Sequence, residues 1–180
     1  MGRLESEAIP IIRALGDRWP PERTARATLA QFLALQLVRS RGWRGWHDEF
    51  IGREVEGWRE TREPVRPGGP APSGADIEAV GEALLDDAGR LKKMLELVPK
   101  VATLLGHMHW TLLRFGRDRL ATSDCPVVPW PLAGPAREPG PLPWSAGIRE
   151  MVEVRFAISP QLALLIRPAI WARMRVSEAK

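Results

Sequence analysis

A chain of 180 residues is long enough for one domain with a sizeable core. Its 44% hydrophobic and 27% charged residues are the proportions of a globular protein, which excludes a disordered one. The net charge of +4 is carried by 22 Arg and 4 Lys, but the charges are interspersed: residues 1–60 hold ten Arg against nine acids. That pattern describes a mixed solvated surface, so a nucleic-acid partner has only weak support and a protein partner is equally compatible.

Cys125 is the sole cysteine, so no internal disulfide can form and no cysteine-based metal knuckle exists. The N-terminus carries Glu5 and Glu7 where a signal peptide needs a basic start and an apolar run. No window approaches the ~18 consecutive apolar residues of a membrane span. A soluble, cytoplasmic protein is expected, with no membrane partner. The Arg, Ala, Gly and Pro bias and the absence of Tyr suggest GC-rich coding and a bacterial source.

In chain order, Leu4, Ala8, Ile11, Ile12 and Leu15 share one face of a first helix, which Pro10 should kink or shorten. Pro20-Pro21-Glu22 suits a helix start. From Arg23 to Arg41, Leu29, Phe32, Leu33, Gln36 and Leu37 share a face that Leu35 and Val38 widen, the signature of a central core helix. Gly42 and Gly45 should interrupt before Trp46, Phe50, Ile51, Val55 and Trp58 resume helical spacing. Residues 61–74 hold four Pro and three Gly and read as a flexible loop inside a single domain spanning residues 1–180. Asp76 can cap the next helix, whose apolar stripe runs through Ile77, Val80, Leu84, Ala88, Leu91, Leu95 and Val98; Pro99 kinks or splits it, and Val101, Leu104 and Leu105 can carry on to Gly106.

The period then changes. Met108–Phe115 is strand-like, 116–119 a turn, and Leu120–Thr122 with Val127-Val128 a returning strand. Residues 129–147 form a second Pro/Gly-rich loop. Met151–Ile158 alternates, with Val152, Val154 and Phe156 on one side and Glu153 and Arg155 on the other; Gln161–Ile166 follows as a strand, and a short helix is expected after Pro168. Helices first and strands later predict an α+β fold: a helical N-terminal half on a small antiparallel sheet.

Five stretches carry a resemblance: Glu5 with Glu7, Gln36-x-x-Arg39, Trp110-x-x-Leu113, Thr122-Ser123-Asp124-Cys125-Pro126-Val127, and Phe156-x-x-Ser159-Pro160. In this order they resemble the bacterial domain of unknown function numbered 4238. The family pattern has Asn where Cys125 stands, and an H-x-x-P-x-x-Y-L-x-x-F opening that is not found before Leu4. The resemblance implies candidate residues but no activity, and the missing opening makes an N-terminally truncated, inactive fragment one reading.

Gln36 and Arg39 lie one turn apart beside the apolar face of the central helix, where buried donors must be satisfied. Arg39 either grips a carboxylate or phosphate ligand or pairs with an acid such as Glu5 or Asp124. Ser123 and Asp124 can simply turn the chain, or Asp124 can meet Arg39 across the helix–sheet junction to form one polar pocket. The ligand-binding set is therefore Gln36, Arg39, Ser123 and Asp124. Two function classes follow: a binding or accessory domain for a small polar ligand or a partner, and a hydrolase of a phosphate-bearing substrate such as nucleic acid, with Asp124 and His109 as catalytic candidates.

His107 and His109 would share a side if both lay on a strand, but a third ligand is missing and no metal is expected. No phosphate-cradling loop or dinucleotide fingerprint is present, so no cofactor is expected. A G-x-S-x-G elbow is also absent, and Cys125 has no activating context. The eight Trp fall at apolar positions or in Pro-rich loops and are expected to pack.

Overall fold

The computed structural model describes residues 2–61, 70–121, 126–130 and 153–168. Among the described residues five helices come first, α1 (Arg3–Ala14), α2 (Arg23–Val38), α3 (Arg41–Thr61), α4 (Gly74–Leu85) and α5 (Asp87–His107). Four strands follow, β1 (His109–Arg114), β2 (Val127–Trp130), β3 (Glu153–Ser159) and β4 (Leu162–Arg167), in one antiparallel sheet of order β1-β4-β3-β2. The fold is α+β, helical in its N-terminal half.

α2 is the centre. Leu29, Ala30, Leu33, Ala34, Leu37 and Val38 are almost wholly buried, because α1 and α5 cover it on one side and the sheet on the other. The sheet turns Trp110, Val127, Val154, Phe156, Leu164 and Ile166 into this core. Phe32 meets Phe156 edge to face, ring centroids 6.3 Å apart. At the other end, the Arg26 guanidinium lies 4.8 Å from the Trp110 ring centroid and its Nη2 donates to the Met108 carbonyl at 2.5 Å. Burial pulls the Arg26 pKa downward, so the aromatic face and carbonyl offset a desolvation cost. α2 thus crosses the sheet diagonally, its N-terminal end over the start of β1 and its later turns over Phe156, beside β2.

A smaller cluster joins α3 and α4 through Ile51, Val55 and Ile77, with Trp58, Leu84 and Leu85 packed around it. Two glycines permit this arm. A Cβ on Gly81 would come within 3.0 Å of Val55 Cγ2, and one on Gly89 within 1.9 Å of the Ala83 carbonyl oxygen. The α4–α5 corner can therefore close only around a residue without a side chain. Ser73 caps α4 by accepting Asp76 N–H at 3.2 Å, and Asp86 caps α5 by accepting Gly89 N–H at 2.5 Å.

Several sequence expectations need correction. Pro10 does not shorten its helix and Pro99 does not split its own; both are exposed, so the carbonyl each leaves unpaired one turn back can turn to water. Gly42 and Gly45 lie inside α3, and the break comes earlier, at Arg39-Ser40. The stripe drawn through Val80, Leu91 and Leu95 is largely exposed, at 45%, 56% and 59%. The buried side of α5 lies in its continuation beyond Pro99, through Val101, Ala102 and Leu105, where the helix lies against α2.

In the sheet, β2 does not return against β1. It pairs with β3, and β1 pairs with β4. Leu120 and Ala121 are not strand; Arg119 and Leu120 donate their N–H groups to the Pro160 carbonyl at 2.9 and 3.1 Å. Pro129 sits within β2, on an edge strand, where a missing donor is tolerated. The short helix expected after Pro168 and most of the 129–147 loop lie outside the described residues.

Candidate functional site

Gln36 and Arg39 lie at the C-terminal end of α2, beyond Phe32, which meets Phe156 of β3. Gln36 is buried at 5% exposure, as its place on the apolar face requires. Arg39 is the C-cap residue and is exposed. Its Nη1 donates to Glu5 Oε1 at 3.0 Å, while Glu5 Oε2 accepts the Gly2 N–H at 3.0 Å. The Gly2 hydrogen bond first, and the Arg39 bond second, hold the Glu5 carboxyl below the usual carboxylate range. Glu5 therefore stays ionised and fixes one edge of the guanidinium. The remaining N–H groups of Arg39 meet no acceptor among the described residues.

Ser123 and Asp124 lie outside the described residues; the described segments on either side of residues 122–125 are anchored. On one side, Leu120 is fastened to Pro160, Phe115 N–H donates to the Gln161 carbonyl at 2.9 Å, and Gln161 Nε2 donates to Asp118 Oδ1 at 3.0 Å. On the other side, Val127 is buried opposite Phe156, the residue that meets Phe32. Gln36 stands one helical turn beyond Phe32, and Arg39 one further turn. Asp124 is three residues before Val127, a span of at most ~10 Å of extended chain.

His109 lies elsewhere. It is exposed at the first position of β1, one edge of the sheet, whereas β2 is the other edge. Three inter-strand spacings, roughly 14 Å, separate those edges. The end of α2 nearest His109 carries Arg26, and thirteen residues of helix, roughly 20 Å, separate Arg26 from Arg39. His109 and Arg39 therefore belong to opposite corners of the molecule. His107 closes α5, with its Nδ1 2.7 Å from the Thr103 carbonyl oxygen, so the two histidines do not share a strand. Among the described residues no group of three His, Cys, Asp or Glu is placed to hold a metal. No described helix is long and apolar enough to cross a membrane.

Sequence reasoning missed two polar constellations. Glu153, expected on the outward side of its strand, is buried at 6% exposure. Its Oε1 accepts Arg155 Nε, and its Oε2 accepts Arg167 Nε at 2.6 Å and lies 2.5 Å from Arg167 Nη2. The second is on α3, where His47 is buried with Nδ1 3.5 Å from Asp48 Oδ1. Asp48 in turn takes Arg90 Nε and Nη2 of α5 at 2.9 and 3.0 Å. Burial pushes the Asp48 carboxyl upward, but the hydrogen bonds from Arg90 and His47 outweigh it and the net displacement is downward. Both sites are ion pairs between distant segments, which local periodicity does not encode.

The match to a known family extends over residues 1–175. The chain belongs to the DUF4238 family, described as protein of unknown function. No curated protein and no solved structure matches it. Membership agrees with the ordered set of Gln36-x-x-Arg39, the Thr-Ser-Asp turn and Ser159-Pro160, and leaves activity to be argued from the residues.

Proposed function

We propose that this DUF4238 chain is a binding or accessory domain whose pocket is formed by Gln36, Arg39, Ser123 and Asp124 and takes a small polar ligand. One observation supports the reading: the segments flanking residues 122–125 are both fastened to the sheet, Leu120 at Pro160 and Val127 opposite Phe156, which meets Phe32 of α2. Arg39 already has one edge set by Glu5, so the rest of its planar donor fork is pre-oriented for an oxyanion. Asp124, beside that cation, would stay ionised and accept hydrogen bonds from the ligand's own donors. The pair would then select a ligand carrying both an anionic group and a hydroxyl or amine.

A double-mutant cycle tests the contact. Arg39→Gln, Asp124→Asn and the double variant, compared by chemical denaturation, should show a coupling of roughly 0.5–3 kcal/mol if the side chains share one network. A thermal-shift panel of small hydroxy acids, amino acids and sugar phosphates should give a stabilising hit that both single variants lose. Zero coupling together with unchanged hits would end the pocket reading. Hydrolysis by an Asp124–His109 pair gains no support from the fold: His109 lies on the β1 edge of the sheet, and Asp124 lies outside the described residues.

A further inference from the structure

We propose a second binding site, on the face of the sheet turned away from α2, in which Arg167 and His109 hold a phosphate-type oxyanion on a foundation supplied by Glu153. Strand alternation decides the face. Trp110, Ile166 and Val154 are paired neighbours and point into the core. The residues one step along each strand, His109, Arg167 and Glu153, therefore lie on the opposite face in one row.

Glu153 is a built component. Its side chain is only 8% exposed, and a carboxylate so buried must be met by donors. Arg167 meets it through Nε and Nη2, which fixes the plane of the guanidinium and turns Nη1 away from the carboxylate. Among the described residues Nη1 meets no acceptor. Arg155 donates its own Nε to the other carboxylate oxygen of Glu153. His109 is the direct cross-strand partner of Arg167, so their Cβ atoms stand roughly 5 Å apart on one face, and its ring is exposed.

A planar donor edge fixed from behind, with an imidazole beside it, suits a tetrahedral oxyanion that accepts from both at once. A phosphate monoester fits, because its oxygens can accept from the Arg167 Nη1 donors and from the imidazole together. This site is separate from the Arg39 corner.

Inorganic phosphate, titrated at constant ionic strength with chloride and followed by NMR, is the probe. The expected result is saturable shifts at His109 and along β1 and β4. His109→Ala, at an exposed position that leaves the core intact, should weaken binding tenfold or more. Arg167→Lys, which keeps the charge but not the fork, should do the same. Arg39→Ala should bind phosphate as the parent does. Shifts that merely track chloride, equal affinity in His109→Ala, or loss in Arg39→Ala alone would each overturn the proposal. A spectrum showing Arg167→Lys unfolded leaves His109→Ala to decide.

Discussion

The core around α2 and the arm made by α3 and α4 use the same residue types to different effect. Around α2, a helix buried on both flanks meets α1, α5 and a sheet, and its side chains have nowhere to relax. In the arm, Ile51, Val55 and Ile77 are also buried, but they close a much smaller cluster between two helices. The arm depends more on particular devices: glycines that let backbones approach, helix caps, and the Asp48–Arg90 and Arg59–Glu78 ion pairs. Burial of single residues is therefore a poor guide to local stability; what matters is how many independent elements close over them.

The largest expected effect separates the two regions directly. Leu33→Ala removes a wholly buried side chain from the middle of the main core and should cost roughly 3–5 kcal/mol by denaturation. Ile77→Ala should cost about 2 kcal/mol, because the arm can close over the space, with hydrogen exchange quickened in α3 and α4 alone. Equal costs and global exchange for both would show that arm and core form one cooperative unit. Next, Gly89→Ala should destabilise by roughly 1–3 kcal/mol even though Ala is the better helix former, since its Cβ meets backbone, not a movable side chain. A neutral or stabilising Gly89→Ala would mean the corner is looser than its geometry.

The smallest effect concerns pH. The pKa values of Glu5, Asp48 and Asp76 are depressed, so their contributions to stability are present above the ordinary carboxylate range and lost as the pH falls through and below about 4. Asp48→Asn should flatten the acid limb of the arm's melting curve and leave its behaviour at neutral pH little changed, the pair being partly exposed. An unchanged acid limb would remove Asp48 from that account.

Much of this architecture was legible beforehand because it follows from local periodicity. The faces of α1 and α2, the α+β order, the burial of Gln36 and the alternation of Val154 and Phe156 all follow from spacing of 3.6 or 2 residues. The stripe through Leu91 and Leu95 misled because periodicity shows that a helix has an apolar face, not that a neighbour lies opposite it. Glu153 misled for the converse reason: alternation assigns a side of the strand, and only the approach of Arg155 and Arg167 makes that side a place where a carboxylate can be buried.

The candidate site divides in the same way. Gln36, Arg39 and the Thr-Ser-Asp turn stand out as polar groups set against apolar surroundings, and family membership covers them. That His109 belongs to the other end of α2 could not be read from order along the chain, because a sheet of order β1-β4-β3-β2 carries β1 and β2 to opposite edges. By itself the sequence determined which segments are helix or strand and which of their faces avoid water, since those preferences act between residues a few positions apart. Only the tertiary structure decided which strands pair, which charges meet and which apolar face is covered, because those depend on contacts between segments whose separation along the chain carries no periodic signal.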